Sequence, residues 1–326
     1  LELVVISLIP LLIFQAFKQF FDGLSLTIYP MYAAILANVI NVIINYVLIF
    51  GKFGFPQMGI IGAAIGTLIS RVVMLLFLIL IIKYNKRIRE RLSNLRAVKF
   101  NKLMFKKILN IGIPSSMQMV FEVVFFTTAI WLSGLLGENS QSANQIALNL
   151  SSMTFMIASG LSVSAMVRVG NQKGLRNYVD LRRISFSILL LGLLLALFFA
   201  LCFIFLNDLL PYIYIDLNNP LNYEDNLEVI RITSKLLIIA AIYQISDTIQ
   251  VIILAALRGM QDVKIPTLIT FISYWLVGFP VSYFLGSEQM FGSEGIWIGL
   301  LTGLTTAAVL LYIRFDILTK KLILNN

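Results

Sequence analysis

Nine runs of roughly twenty apolar residues divide this chain, near 2–22, 29–50, 59–82, 111–136, 143–167, 184–206, 233–257, 265–286 and 293–315. A run of that length is what an α-helix needs to cross a hydrocarbon core. The composition leaves no soluble alternative: 59% of residues are hydrophobic, 13% are charged and the mean hydropathy is +0.90, outside the range of ordinary soluble domains. A β-barrel would show alternating segments of about ten residues, and none is present. The sequence predicts an all-α polytopic membrane protein with nine transmembrane helices.

The net charge of +9 is distributed by side rather than spread as a nucleic-acid footprint. The stretch from Lys83 to Lys107 carries ten basic residues against one acid, and Arg168 to Arg183 carries five against one. Arg258, Lys264, Arg314, Lys320 and Lys321 fall on the same side when the spans alternate, so 20 of 25 basic residues share it. The other connections are acidic, with Glu138, then Asp208, Asp216, Glu224, Asp225 and Glu228, then Glu288 and Glu294. Basic loops mark the cytoplasmic face, so the C-terminus is expected in the cytoplasm. The chain contains no histidine, which excludes a histidine proton relay or metal site, and its lone Cys202 lies in an apolar span and reads as packing. It begins at Leu1 inside a span, and an N-terminally incomplete sequence is expected.

A weak internal repeat has an offset of 236 residues: Gly23 pairs with Gly259, Pro30 with Pro266 and Gly59 with Gly295. Copies that begin six spans apart share one orientation, as in transporters built from parallel repeats. The implied fold is a twelve-helix, two-lobe (6+6) transporter of which nine helices are present. Residues 1–82 would be the last three helices of the N-terminal lobe, 83–107 a basic cytoplasmic linker, and 108–326 a complete six-helix C-terminal lobe.

Only two of sixteen carboxylates, Glu122 and Asp247, fall near the middle of apolar runs. An ionisable group there costs at least ~2.5 kcal/mol on insertion scales, so it normally faces a wet cavity, a partner or an ion path. Each lies eleven residues from the cytoplasmic end of its span, at Ile111 and Arg258, which is about 16 Å of helix. Gln118 shares a face with Glu122, and Tyr243 and Gln244 share one with Asp247. An acid that holds a proton, a sodium ion or a cationic substrate, one at a time, supplies the competition antiport requires. Gln118, Asn144, Asn149 and Gln244 are further candidates to line a cavity around these acids.

Other polar features read as structural. Asn38, Asn41 and Asn45 form a stripe suited to interhelical hydrogen bonds; Lys18 and Arg71 are expected to be paired inside a bundle; Pro114 shapes the entry of its helix. Phe121, Phe125 and Phe126 suit packing or a lipid-facing role better than a drug cavity.

The run IGIPSSMQMVFEVVFF, then SANQIALNLSSMTFMIASGLSVSAMVRVGNQKG, resembles the seventh and eighth helices of the multidrug and toxic compound extrusion (MATE) transporters. YQISDTIQVIILAALRGMQDVKIP resembles their tenth helix and the connection after it. The likeness runs from the family's fourth helix through its twelfth and is strongest in the NorM branch, with the first three helices lacking. It implies a cation-coupled multidrug efflux antiporter of the inner membrane, a secondary active transporter and not an enzyme. Glu122 would correspond to the seventh-helix acid, and Tyr243 and Asp247 to the tenth-helix pair that NorM-type members use for cation binding. If sodium is the coupling ion, Glu122 and Asp247 are its expected ligands; otherwise the ion is a proton. No cofactor is expected beyond that ion. The expected partners are small-molecule drugs or toxic metabolites and the lipid bilayer, with no nucleic acid and no obligate protein partner for the full-length protein. The 326 residues alone are not expected to transport, because half of one lobe is absent. The alternative is a lipid-linked saccharide flippase, whose cavity should be more cationic. A membrane-embedded lipid enzyme lacks any catalytic constellation here.

Overall fold

The computed structural model describes residues 2–93, 100–215 and 223–325. Arg96 and Lys99 of the basic stretch and Asp216 of the acidic connection lie outside the described residues. Two compact units are present, Leu1–Asn101 and Lys102–Asn326. Nine helices among the described residues are long and apolar enough to cross a membrane, each at one of the expected runs.

In the first unit, α1 (Glu2–Ile6) and α2 (Leu8–Gly23) form one span interrupted at Ser7, followed by α3 (Ile28–Phe50), α4 (Gly59–Tyr84) and α5 (Lys86–Ser93). The charged groups are paired as expected, and within the asparagine stripe Asn41 makes the interhelical bond. Lys18 Nζ lies 3.2 Å from the Asp22 carboxylate, Arg71 donates to Ser7 Oγ at 2.6 Å, and Asn41 Nδ2 donates across to Ser70 Oγ at 3.0 Å. Asn45 bonds only to Asn41 on its own helix, at 3.0 Å.

The second unit comprises α6 (Lys102–Leu135), α7 (Glu138–Gly174), α8 (Tyr178–Phe205), α9 (Tyr223–Gly259), α10 (Lys264–Phe271), α11 (Phe279–Leu285) and α12 (Gly292–Leu324). A π-helical segment, Ile272–Gly278, joins α10 to α11 into a single span. The wider turn precedes Pro280, whose ring and missing N–H disfavour a regular α-helix at that point. The central element is α9, packed against α7, α8 and α12. Leu236, Leu237, Ile252, Ile253 and Leu257 on it are fully buried, whereas Leu190, Leu194 and Phe198 of α8 are exposed, as a lipid-facing helix requires. The α11–α12 contact is a ladder of small residues: Gly278, Ser282 and Gly286 face Gly295, Gly299 and Gly303, and a Cβ on Gly299 would overlap the Ser282 backbone.

Two expectations change. Pro114 lies inside α6 rather than at its entry, because the helix begins at Lys102 and takes in the end of the basic stretch. The repeat also shifts at its third landmark. Gly59 and Gly292 are the glycines that start their helices at positive φ (52° and 53°), so the partner of Gly59 is Gly292 rather than Gly295. The loop before α12 is shorter than the one before α4, residues 286–291 against 51–58. Gly295 instead pairs with Gly62, each packed against the carbonyl of the preceding helix, Leu285 and Leu48 respectively.

Candidate functional site

Three helices of the second unit bring the two acids to one place. On α6 the i, i+4 spacing sets Gln118 and Glu122 on one face, and on α9 it does the same for Tyr243 and Asp247. Between them and α7 lies a cavity of about 340 Å³. Glu122, Tyr243 and Asp247 line it together with Ser151 and Ser152, and its apolar wall includes Phe126 and Phe155. Asp247 is 3% exposed, and the Ser151 hydroxyl on the cavity wall is buried with no hydrogen-bond partner. Buried polar atoms of this kind are rare in finished cores and point to a guest.

Aromatic packing fixes the cavity floor. Tyr243 meets Phe126 edge-on at 6.2 Å and Trp297 at 5.6 Å, and Trp297 Nε1 donates to Asn144 Oδ1 at 2.9 Å. The three phenylalanines of α6 therefore have different roles. Phe121 packs on Phe271, Phe125 stacks on Tyr274 at 5.2 Å, and Phe126 alone of the three lines the cavity, contrary to the uniform packing or lipid-facing role expected of them.

The candidate cavity-lining amides are also separated by the structure. Gln118, 1% exposed, does not line this cavity. Its Nε2 donates to Val263 O (3.0 Å) and Thr267 Oγ1 (2.9 Å), and its Oε1 accepts from Arg258 Nε (2.9 Å). That network braces α6, the end of α9 and α10, one helical turn from Glu122. Asn144 is wholly buried and engaged with Trp297; Asn149 is exposed and accepts from Tyr214 Oη at 2.9 Å. Neither lines the cavity. Gln244 borders a different, smaller cavity on the far side of Asp247.

Several residues at and around the cavity carry no signal in the sequence. Ser151 and Phe155 lie one turn apart on α7, and only their position opposite α9 reveals them. Tyr274 is fully buried, stacks on Phe125 with its hydroxyl unpaired, and lies outside the cavity lining; no spacing rule connects it with Phe125, 149 positions away. Among the described residues no three histidine, cysteine or acidic side chains cluster as metal ligands, so any cation held by Glu122 and Asp247 would take its remaining ligands from neutral oxygens such as Ser151.

Comparison with known proteins agrees with this architecture. Residues 114–284, just over half of the chain, match the MatE family profile. The chain is 34% identical over 325 residues to the multidrug resistance protein NorM of Photobacterium profundum, covering 96% of this chain and 68% of that protein. It is 34% identical over 307 residues to the multidrug resistance protein MdtK of Proteus mirabilis, covering 93% and 65%. It thus spans about two thirds of the length of these relatives. Among solved structures it superposes on the eukaryotic MATE transporter AtDTX14 with a TM-score of 0.83 at 20% identity, over 98% of this chain and 70% of that one. It also superposes on an outward-facing multidrug resistance MATE family transporter of the MOP superfamily with a TM-score of 0.77 at 18% identity, over 90% and 62%. With nine apolar helices among its described residues, this polytopic membrane chain belongs to the MatE family, whose members are secondary transporters rather than enzymes.

Proposed function

We propose that this chain is the greater part of a multidrug efflux antiporter, which exports amphipathic, often cationic compounds in exchange for inward sodium ions or protons. The observation that carries the reading is the position of Glu122 and Asp247 on the wall of one cavity of about 340 Å³, with an aromatic and aliphatic lining. That volume lies in the range of small-molecule sites, and a mainly apolar wall with a few polar groups is how such sites bind. An organic cation gains from the carboxylates and from the faces of Phe126 and Tyr243. A proton or sodium ion competes for the same oxygens, so entry of one promotes release of the other. The names of the relatives, multidrug resistance proteins, support the same substrate class.

In this reading residues 1–82 supply the last three helices of an N-terminal lobe, 83–107 the cytoplasmic linker and 108–326 the C-terminal lobe. The protein lies in the inner membrane with its C-terminus in the cytoplasm, and alternating access comes from rocking one lobe against the other. A flippase for lipid-linked saccharides is disfavoured, since the two carboxylates in the cavity would repel a pyrophosphate. The test is ethidium or norfloxacin efflux from cells expressing the full-length gene, wild type against Asp247→Asn, with sodium present or replaced by potassium at fixed pH. Sodium-dependent efflux lost in the variant supports sodium antiport through Asp247. Efflux indifferent to sodium but driven by the pH gradient assigns the ion as a proton. Undiminished efflux by a correctly inserted Asp247→Asn protein would refute the site.

A further inference from the structure

Two cavities meet at Asp247. On one side is the larger cavity shared with Glu122; on the other is an annex of about 10 Å³ enclosed by α7, α8 and α9. The annex wall is mostly apolar, with Leu161 of α7 and Ala196 and Phe199 of α8, but Gln244, Asp247, Thr248 and Thr154 also face it. Gln244 and Asp247 are 4% and 3% exposed, and three of their polar atoms, Gln244 Nε2, Gln244 Oε1 and Asp247 Oδ1, have no hydrogen-bond partner. Leaving such atoms dry costs far more than ordering one water.

Size and chemistry select the guest. A volume of about 10–15 Å³ is what one water needs, and a stable buried water requires two to four polar partners. A bare metal ion would satisfy the oxygens and leave the Gln244 amide N–H unpaired. A water accepts from that N–H and donates to the carboxylate. Thr154 offers a further acceptor, since its hydroxyl proton is already committed to Ser151 O at 2.8 Å.

We propose that the annex is a one-water site in which the water accepts a hydrogen bond from Gln244 Nε2 and donates one to Asp247 Oδ1. Gln244 is then a positioning residue for Asp247. It holds the carboxyl by one oxygen from behind and leaves the other for whatever occupies the larger cavity, so Asp247 keeps a hydrogen-bond partner while its guest changes. The link to exchange rests on the function proposed above; the water and the positioning do not.

The experiment uses the full-length protein in detergent. X-ray radiolysis generates hydroxyl radicals from water, and Leu161 and Phe199 line the annex but not the larger cavity. Both should be modified in the wild type. Modification should fall about tenfold in Gln244→Leu, which removes the anchor at similar volume, and in Ala196→Val, which fills the space. Background-level modification in the wild type, or undiminished modification in Gln244→Leu, overturns the water site. Positioning is read separately with dicyclohexylcarbodiimide, which reacts with the acid form of buried carboxyls. Read at a pH where the wild-type carboxyl is mostly ionised, removing the donor to the anion should speed modification of Asp247 about tenfold in Gln244→Leu, the factor for one hydrogen bond to a charged group. Glu122 on the same protein should react at its wild-type rate. Equal rates at Asp247 in the two proteins, or a parallel change at Glu122, overturn the positioning role. Both readouts are independent of efflux, so failure of the transport reading would not be mistaken for failure of this one.

Discussion

Replacing Gln118 by leucine keeps the side-chain volume and removes three hydrogen bonds at once, to Val263 O, to Thr267 Oγ1 and from Arg258 Nε. Interhelical hydrogen bonds in membrane proteins average ~0.6 kcal/mol and reach ~1.7 kcal/mol, so three of them give roughly 2 kcal/mol and at most about 5 kcal/mol. The bond from Arg258 belongs at the upper end because its donor is charged. Two features hold the total down. Arg258 is only partly buried, so water recovers part of its loss, and Thr267 Oγ1 retains its contacts with Pro114 O and Val263 O at 3.0 and 2.8 Å. The expected cost is about 2 kcal/mol, which lowers the melting temperature by about 4–8 °C for a unit of this size. The assay is thermal unfolding in detergent, followed by reaction of a fluorogenic thiol probe with Cys202, the chain's one cysteine. The double variant Gln118→Leu/Arg258→Leu should be more stable than the sum of the two single losses implies, because the second substitution removes the group the first leaves unpaired. A melting temperature within about 1 °C of wild type, against the ~4 °C minimum expected, or additivity in the double variant, would refute the brace.

Three further outcomes follow from the same structure. Gly299→Ala places a methyl into the Ser282 backbone and should cost about 1–3 kcal/mol, whereas Gly160→Ala, with nothing within 4 Å of the added carbon, should be neutral or slightly stabilising; equal melting temperatures would count against the α11–α12 ladder. Trp297→Phe removes the donor to Asn144 Oδ1 and leaves a buried amide whose Nδ2 is already unpaired, at a cost of about 1–2 kcal/mol in the same melt. Phe126→Ala removes the aromatic face beside Tyr243 and should weaken binding of an aromatic cationic dye about fivefold or more, measured by fluorescence titration; unchanged affinity would place the dye outside this cavity.

Residues whose role depends on local context were legible in the sequence. Glu122 and Asp247 announce themselves because a carboxylate in an apolar run is costly wherever the run folds, and Lys18 and Arg71 are paired for the same reason. Gln118 was read as cavity-lining from its four-residue distance to Glu122, but its partners come from α9, α10 and the connection between them, at least 140 residues away. Phe121, Phe125 and Phe126 share one expected role, but Phe126 sits about 100° round the helix from Phe125 and alone of the three reaches the cavity. Gly295 was aligned by residue type, whereas backbone conformation identifies Gly292 as the helix-starting glycine.

The sequence by itself determined the all-helical membrane architecture, the number and place of the spans and the two acids, since hydropathy over about twenty residues and the cost of a buried charge act through the chain's own local chemistry. Only the tertiary structure decided that the acids share a cavity, that Ser151 and Phe155 join them and that Gln118 does not, and that a second, water-sized space adjoins Asp247. Those facts depend on which faces of α6, α7, α8 and α9 meet. Helix packing sets that through side-chain shape and small-residue contacts between segments far apart in the chain, and no local pattern encodes it.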